Sequence, residues 1–523
     1  SPIPSNKTLG ICHFPNFYAA MDATQHIVKL GPAAVELLDR TMLDLARQIE
    51  LFRHTIERFV QGEPAALLLV EFAGEDGDEQ LRKLKQLVEL MADLGFPDAV
   101  VEATEPSFQA AVWEVRKSGL NIMMSMKGDG KPISFIEDCA VRLEDLAEYT
   151  DRLTQVFTKH GTTGTWYAHA SVGCLHVRPV VNLKEEAGAK QMRAMAEEAF
   201  AMVREYKGSH SGEHGDGLVR SEFHLPMFGQ RMVDNFAEVK NILDPTCLFN
   251  PGKIVAPPKM DDRRLFRFKP DHQTPVMETG LDWSAWGGFA RAAEMCNNNG
   301  ACRKLDLAGV MCPSFKVTRD EAHVTRGRAN LLRLGVSGQL GAAALHSDAM
   351  AEAMSLCVGC KGCKRECPVG VDMAAMKIEV QYQRAKKSGI SLHDRLVAYL
   401  PRYAPIAARL APLLNLRDRL PGLAWLSEKL FGFTAKRTLP KWRRDTFQPE
   451  QNAYGPMQGA EVVLFADTFN STFERENLDA AIDVLVAAGR RVHIAQAQSE
   501  IDNDRPVYRP VYRPLCCGRT FLS

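Results

Sequence analysis

Along residues 1–268 two kinds of hydrophobic pattern take turns. Short runs that are apolar throughout, or at every second position, predict strands at 9–14, 35–38, 67–72, 133–136, 165–168 and 175–179. Longer stretches with apolar residues every three or four positions predict helices near 17–29, 42–60, 78–94, 143–159 and 186–206. Strands and long helices in mixed order point to an α+β domain, with helices packed on a largely antiparallel sheet. Residues 257–280 turn polar and carry prolines, as a linker does. A mostly helical, cysteine-rich domain follows over 282–390, then an Arg-rich connector over 391–445 with amphipathic stretches such as 396–414. From 446 to 523 an α/β pattern begins, with strands at 462–465 and 492–494 around a helix at 478–488. Its tail repeats Pro-Val-Tyr-Arg at 506–509 and 510–513 and reaches Cys516-Cys517-Gly518, so this domain reads as cut short.

Charge and hydropathy narrow the class. Lys plus Arg and Asp plus Glu number 64 each, and a neutral chain argues against a nucleic-acid binder, whose surface needs a basic excess. No apolar run approaches the roughly 18 to 20 residues of a membrane span. The N-terminal Ser-Pro-Ile-Pro-Ser-Asn has no basic segment before an apolar core, so no secretory signal is expected.

Of the 13 cysteines, nine lie between Cys296 and Cys517. An odd number at short spacings reads as metal ligands in a reducing, cytoplasmic setting and not as a disulfide framework. Cys12, Cys139, Cys174 and Cys247 stand apart and are expected to be buried small residues. Cys357, Cys360, Cys363 and Cys367-Pro368 have the spacing that wraps a loop around one corner of an iron–sulfur cube, while the fourth cysteine serves the other cluster of a pair. Zinc would favour two separated cysteine pairs. Upstream, Cys296, Cys302 and Cys312-Pro313 form a weaker set with Asn299 where a cysteine would complete it. Pairing across the motifs puts Cys357, Cys360, Cys363 and Cys312 on one 4Fe–4S cluster. It leaves Cys296, Cys302 and Cys367 for a second, which would have a non-cysteine ligand, be a 3Fe form, or be absent.

Two histidines seven apart, His169 and His176, flank Gly173, a natural turn between two short strands. Downstream, glycines bracket Glu213 and His214 in Gly212-Glu213-His214-Gly215-Asp216-Gly217, a loop suited to presenting side chains. Two imidazoles and a carboxylate make a divalent-metal set with open positions; the plainer reading is of ordinary surface or core histidines.

These segments resemble the C-terminal domain of FAD-linked oxidases of the vanillyl-alcohol-oxidase type, over roughly residues 8–256. D-2-hydroxyglutarate, D-lactate and glycolate dehydrogenases are members. The resemblance implies a sheet-and-helix cap domain, then an α-helical ferredoxin-like domain, then a partial α/β Cys-Cys-Gly domain. It implies that His169, His176 and Glu213 bind zinc or a similar ion and that His214 is the general base. Asn250-Pro251-Gly252-Lys253 is similar to the family's closing motif against the flavin, and Trp113-Glu114-Val115-Arg116 to the segment whose arginine binds the substrate carboxylate. The chain departs from the family in having Ser171-Val172-Gly173-Cys174 between the histidines and Arg178 where an asparagine is common. An extra cation there suits a second carboxylate on the substrate. Lys131 and Asp138 are weaker candidates, each of which also reads as a surface charge. No segment resembles the family's N-terminal FAD-binding domain, so the chain is expected to be silent alone.

The resemblance thus implies a small 2-hydroxyacid substrate, D-2-hydroxyglutarate first, with D-lactate or glycolate as alternatives. Electrons would leave through 4Fe–4S to a quinone or an electron-transfer protein. Two other classes remain: a non-catalytic electron-transfer subunit, and a metallohydrolase, against which the iron–sulfur motif counts. Residues 395–444 read as a solvated connector, with peripheral contact at the inner face of a membrane as the alternative. The oligomeric state, including a homo-oligomer, stays open.

Overall fold

A computed structural model describes residues 4–495 apart from 271, 307 and 452, together with 515–518 and 520. The chain divides into two units, 1–379 and 380–523.

The first unit is built on seven strands, β1 Asn6–Phe14, β2 Ala34–Asp39, β3 Ala66–Gly74, β4 Val100–Ala103, β5 Lys131–Pro132, β6 Gly164–His169 and β7 Cys174–Val181. They lie in the order β4-β1-β3-β2-β6-β7-β5, and every pairing is antiparallel. β3 is buried on both faces, with Ala66, Leu68, Val70 and Phe72 packed on one side and Leu67 and Leu69 on the other. That is why its sequence is an unbroken apolar run. Helices Phe17–Ile27, Gly77–Asp93, Leu146–Lys159 and Glu186–Glu205 cover the first side. Helices Arg40–Gln48, Glu50–Phe59 and Pro106–Lys117 cover the second. The α+β expectation holds, with helices on both faces.

Several local expectations need correction. Residues 133–136 are not a strand: the ladder ends with Ile133 donating to the Pro179 carbonyl, after which Phe135 and Ile136 turn into the core. The chain then leaves the sheet at Asp138, whose φ is 61°. β4 and the helices Pro106–Lys117 and Gln230–Leu243 were not anticipated; β4 is short, and the last helix buries none of its apolar residues. Cys12, Cys139 and Cys174 are buried, but Cys247 is exposed. The stretch 257–280 is polar yet held down: Met260 and Arg263 are buried, and the amides of Gly280 and Leu281 donate to the Glu379 carboxylate at 3.1 and 3.2 Å.

The cysteine-rich part consists of short helices between loops, among them Pro313–Thr318, Thr325–Val336, Asp348–Ser355 and Gly362–Glu366. An ionic knot joins it to the sheet domain, in which Lys184 Nζ lies 2.9 Å from Asp129 and 2.7 Å from Glu294, and Arg291 also holds Asp129. Arg291 first, then Lys184, keep the Asp129 carboxyl near 2.

In the second unit, helices Leu392–Ala398, Leu400–Arg409, Ala411–Leu414 and Leu423–Phe431 precede a small sheet. Its strands β8 Ala453–Tyr454, β9 Glu461–Leu464 and β10 Arg491–Ile494 are ordered β8-β10-β9. The helix Arg475–Ala487 makes the crossover between parallel β9 and β10. Leu515 pairs with Asp467, which sets Cys516–Gly518 beside the helix Thr468–Phe473. The Pro-Val-Tyr-Arg repeats and Arg519 lie outside the described residues. Among the described residues no helix is long and apolar enough to cross a membrane.

Candidate functional site

Side chains two apart on a strand share a face, and cross-strand partners sit side by side. The register pairs Glu36 of β2 with His169 of β6, and Tyr167 of β6 with His176 of β7. Glu36, Tyr167, His169, His176 and Arg178 are therefore projected onto one face of three adjacent strands. Gly173 makes the β6–β7 connection, with φ 66°; a Cβ there would lie 2.0 Å from the Val141 carbonyl oxygen.

The loop after the helix Glu186–Glu205 brings Glu213 and His214 over this face. Glu213 Oε1 lies 2.9 Å from His176 Nε2, 3.7 Å from His169 Nε2 and 3.2 Å from His214 Nε2. The His214 ring stacks on that of His176 at 5.1 Å, and His176 on Tyr167 at 4.7 Å. His176 is 2% exposed, whereas the His169 and His214 side chains are 39% and 43% exposed, so the cluster opens to one side. Glu36 accepts from or pairs with His169 Nδ1 at 2.8 Å, the carboxylate–imidazole contact that orients a ligating histidine. That bond raises the His169 pKa, while burial, with His169 and His214 nearby, drops His176 to about 3. A neutral His176 is the form that ligates metal.

The buried Asp138 carboxylate fixes the loop. Its Oδ2 accepts the backbone N–H groups of Glu213 and His214 at 2.8 and 2.6 Å, and its Oδ1 pairs with Arg220. Arg220 also donates to the Glu137, His210 and Gly215 carbonyls. Asp138 is fully buried, not a surface charge. Asp138→Ala would leave a buried guanidinium without its anion, and is expected to cost about 3–5 kcal/mol, read as a lowered urea midpoint at unchanged slope.

The arginines named from sequence reach the same region through acids that sequence reading missed. Arg116 Nε and Nη2 donate to Glu36 Oε2 at 3.0 and 2.5 Å, and Arg178 chelates Glu137, which also accepts from the Tyr167 hydroxyl at 3.2 Å. The signal available was Glu36 interrupting the apolar residues 34–38 of β2, and Glu137 after an apolar run. Lys131 is not in this cluster. Its Nζ donates to the Met126 carbonyl and lies 3.7 Å from Met295 Sδ, in a cavity that Cys296 also lines. Asn250, Gly252 and Lys253 lie in an exposed or half-exposed loop, with Asn250 at φ 47° beside exposed Leu248 and Phe249.

Cys312, Cys357, Cys360 and Cys363 line one cavity, the grouping expected for a single cluster. Cys296, Cys302 and Cys367 are near enough for their charges to bear on one another: with burial the main cause, Cys302 is pushed up to about 11. Asn299 is exposed and spends its side chain on Asn297 and the Ala301 amide. Arg328 is fully buried, donating to the Ala353 carbonyl at 2.6 Å, to Ser314 Oγ at 3.1 Å and toward Cys312 Sγ at 3.7 Å. Burial works to raise the Cys312 thiol, but Ser314, Thr325, the Phe315 amide and Arg328 outweigh it and hold the pKa below the ordinary value.

Residues 3–254 match the model of FAD linked oxidases, C-terminal domain, and residues 292–371 that of the 4Fe-4S dicluster domain. The chain joins an FAD-linked oxidase C-terminal domain to a 4Fe-4S dicluster domain. D-2-hydroxyglutarate dehydrogenase of Escherichia coli is 29% identical over 82% of this chain and 46% of its own length. Its counterpart in Pantoea ananatis is 27% identical over 91% and 51%. Glycolate oxidase subunit GlcD of Bacillus subtilis is 24% identical over 49% and 52%. The chain thus spans about half the length of the curated relatives it matches. A 4-ethylphenol oxidase from Gulosibacter chungangensis is similar in structure at TM-score 0.38 and 16% identity, over 49% of this chain and 55% of that one, too loose a likeness to carry an argument.

Proposed function

We propose that the chain is the substrate-side and electron-transfer part of a flavin-dependent D-2-hydroxyacid dehydrogenase, with D-2-hydroxyglutarate as substrate. The observation that carries this is the convergence of His169, His176, Glu213 and His214, flanked by Arg116 and Arg178, on the sheet face of an FAD-linked oxidase domain joined to an iron–sulfur domain. Support for the substrate comes from extent: relatives named for D-2-hydroxyglutarate match 82–97% of this chain, and those named for D-lactate or glycolate 43–49%.

The donor set fits a divalent ion. His176 presents a neutral, buried imidazole, His169 is oriented by Glu36, and the open side leaves room for a hydroxyl and a carboxylate. Such an ion, held by His169, His176 and Glu213, would supply Lewis-acid chemistry, a bound flavin would supply two-electron acceptance, and clusters on the cysteines would supply one-electron carriage. The chain's own residues do the rest. His214 Nε2, on the exposed side beside Glu213, takes the proton of the substrate hydroxyl. Arg116 and Arg178 turn from Glu36 and Glu137 to share their guanidinium groups with the substrate carboxylates. Met295–Asn297 packs against the oxidase domain, with Asn297 bonded to Asn121 and Met295 near Lys131, so Cys296 stands on the electron-entry side of the dicluster domain.

The test is a dye-reduction assay of the flavin-loaded holoenzyme with D-2-hydroxyglutarate, D-lactate and glycolate. The five-carbon dicarboxylate is expected to give the highest kcat/KM, and absence of turnover with all three would overturn the reading. Among the described residues the candidate flavin contact is an exposed loop. The 523-residue chain by itself is therefore expected to show a brown iron–sulfur spectrum, no flavin bands and no dye reduction, with or without added FAD.

A further inference from the structure

The loop that carries Glu213 and His214 belongs to a second constellation that the proposed chemistry does not use. His210, at its start, and His224, beyond its end, close on Asp216. His210 is fully buried and His224 is 3% exposed. His210 Nε2 lies 3.0 Å from Asp216 Oδ1, and His224 Nε2 2.9 Å from Asp216 Oδ2. By length these are hydrogen bonds; by geometry they are not. Both ring nitrogens of His210, both of His224, and Asp216 Oδ1 are buried without a hydrogen-bond partner. A buried polar atom left unpaired is destabilising, and native proteins leave few of them. A cluster of such atoms marks the place of a missing partner.

The surroundings indicate what that partner is. Phe200 and Phe228 stand 5.4 and 5.6 Å from the His210 ring, and Phe236 stands 5.8 Å from that of His224. The Asp216 carboxylate, with its side chain 16% exposed, thus lies against two buried imidazoles that are themselves packed among aromatic rings. One ligand atom from each residue lies within 4.8 Å of the others. A tetrahedral ion with bonds of about 2.0–2.2 Å sets its ligand atoms roughly 3.3–3.6 Å apart. Two imidazoles and one carboxylate are borderline donors of the kind zinc takes.

We propose that His210, Asp216 and His224 bind a second divalent ion, zinc by the chemistry of the donors, separate from the ion assigned to His169, His176 and Glu213. Its role is structural. It ties the entry of the loop to the helix His224–Phe228, so that Glu213 and His214 are held between two fixed points. The ion completes from one side the restraint that Asp138 and Arg220 impose from the other.

The experiment counts zinc in cluster-loaded full chain purified anaerobically. A His169→Ala/His176→Ala variant disables the first set and leaves the second whole. It is expected to retain one zinc per chain, which adding Asp216→Asn removes. Chelation of zinc from the double variant is expected to lower its Tm, and zinc chloride to restore it; this reading needs no substitution in the new site and decides the matter if the Asp216→Asn protein does not fold. A double variant with no zinc above background and a Tm indifferent to zinc overturns the proposal. So does zinc that survives Asp216→Asn.

Discussion

His169→Ala, His176→Ala and Glu213→Ala are each expected to abolish turnover of the holoenzyme and to remove one divalent ion per chain while flavin is retained. His214→Ala should lose as much activity with the ion still in place. The geometry explains the division. Glu213 Oε1 bridges the two strand-borne imidazoles at 2.9 and 3.7 Å, so removing any one of the three leaves two donors, too few for a stable site. His214 approaches the same oxygen from the open side at 3.2 Å, with its side chain 43% exposed, where the proposed substrate would reach it. Loss of a general base costs about 10²–10⁴-fold in rate. Metal analysis beside a steady-state assay checks the set, and a His214→Ala protein emptied of its ion would show that the base and ligand roles are misassigned.

Cys363→Ser is expected to separate the two halves of the reaction. Cys363 is buried in the cavity it shares with Cys312, Cys357 and Cys360, where a hydroxyl is a poor iron ligand. The variant holoenzyme should lose most of its iron and sulfide from that site. Substrate should still bleach the flavin in a single anaerobic turnover, because the histidine cluster is built on strands β2, β6 and β7 and does not depend on the cysteines. Electron delivery to the external acceptor should fall by at least tenfold, about 1.4 kcal/mol or more in apparent barrier. Stopped-flow flavin absorbance measures the first half and acceptor reduction the second. Equal loss in both would place Cys363 in the structure of the oxidase domain instead.

What sequence could reveal about the site follows from chain distance. His169 and His176 stand in a hairpin, and Glu213 and His214 are neighbours between glycines, so short-range spacing brings their chemistry into view. Glu36 is 133 positions from His169, and its role exists only because β2 pairs with β6. Glu137 and Arg220 are in the same position: each is an ordinary charged residue until the fold buries it beside Arg178 or Asp138. The strands at β1, β2, β3, β6 and β7 were legible because each is apolar on a buried face. β4 was not, because only Ala103 of its four residues is buried. The helix Gln230–Leu243 has the right periodicity but buries none of its apolar residues fully, so little burial supports the pattern.

Arg328 bears on how this protein comes into being in a cell. It is the largest side chain buried completely, and among the described residues no carboxylate pairs with it. Its guanidinium is answered by a carbonyl, a hydroxyl and the sulfur of Cys312. A chain without its cluster would keep this charge in the interior with little to balance it, at a cost of several kcal/mol. Thiolates bound to a cluster at the proposed cysteines would provide the missing negative charge, so cluster insertion would favour the folded form of residues 292–371. Under iron starvation the unfilled module would open more often and feed proteolysis. The abundance of the protein, and not only its activity, would then follow the supply of iron–sulfur clusters.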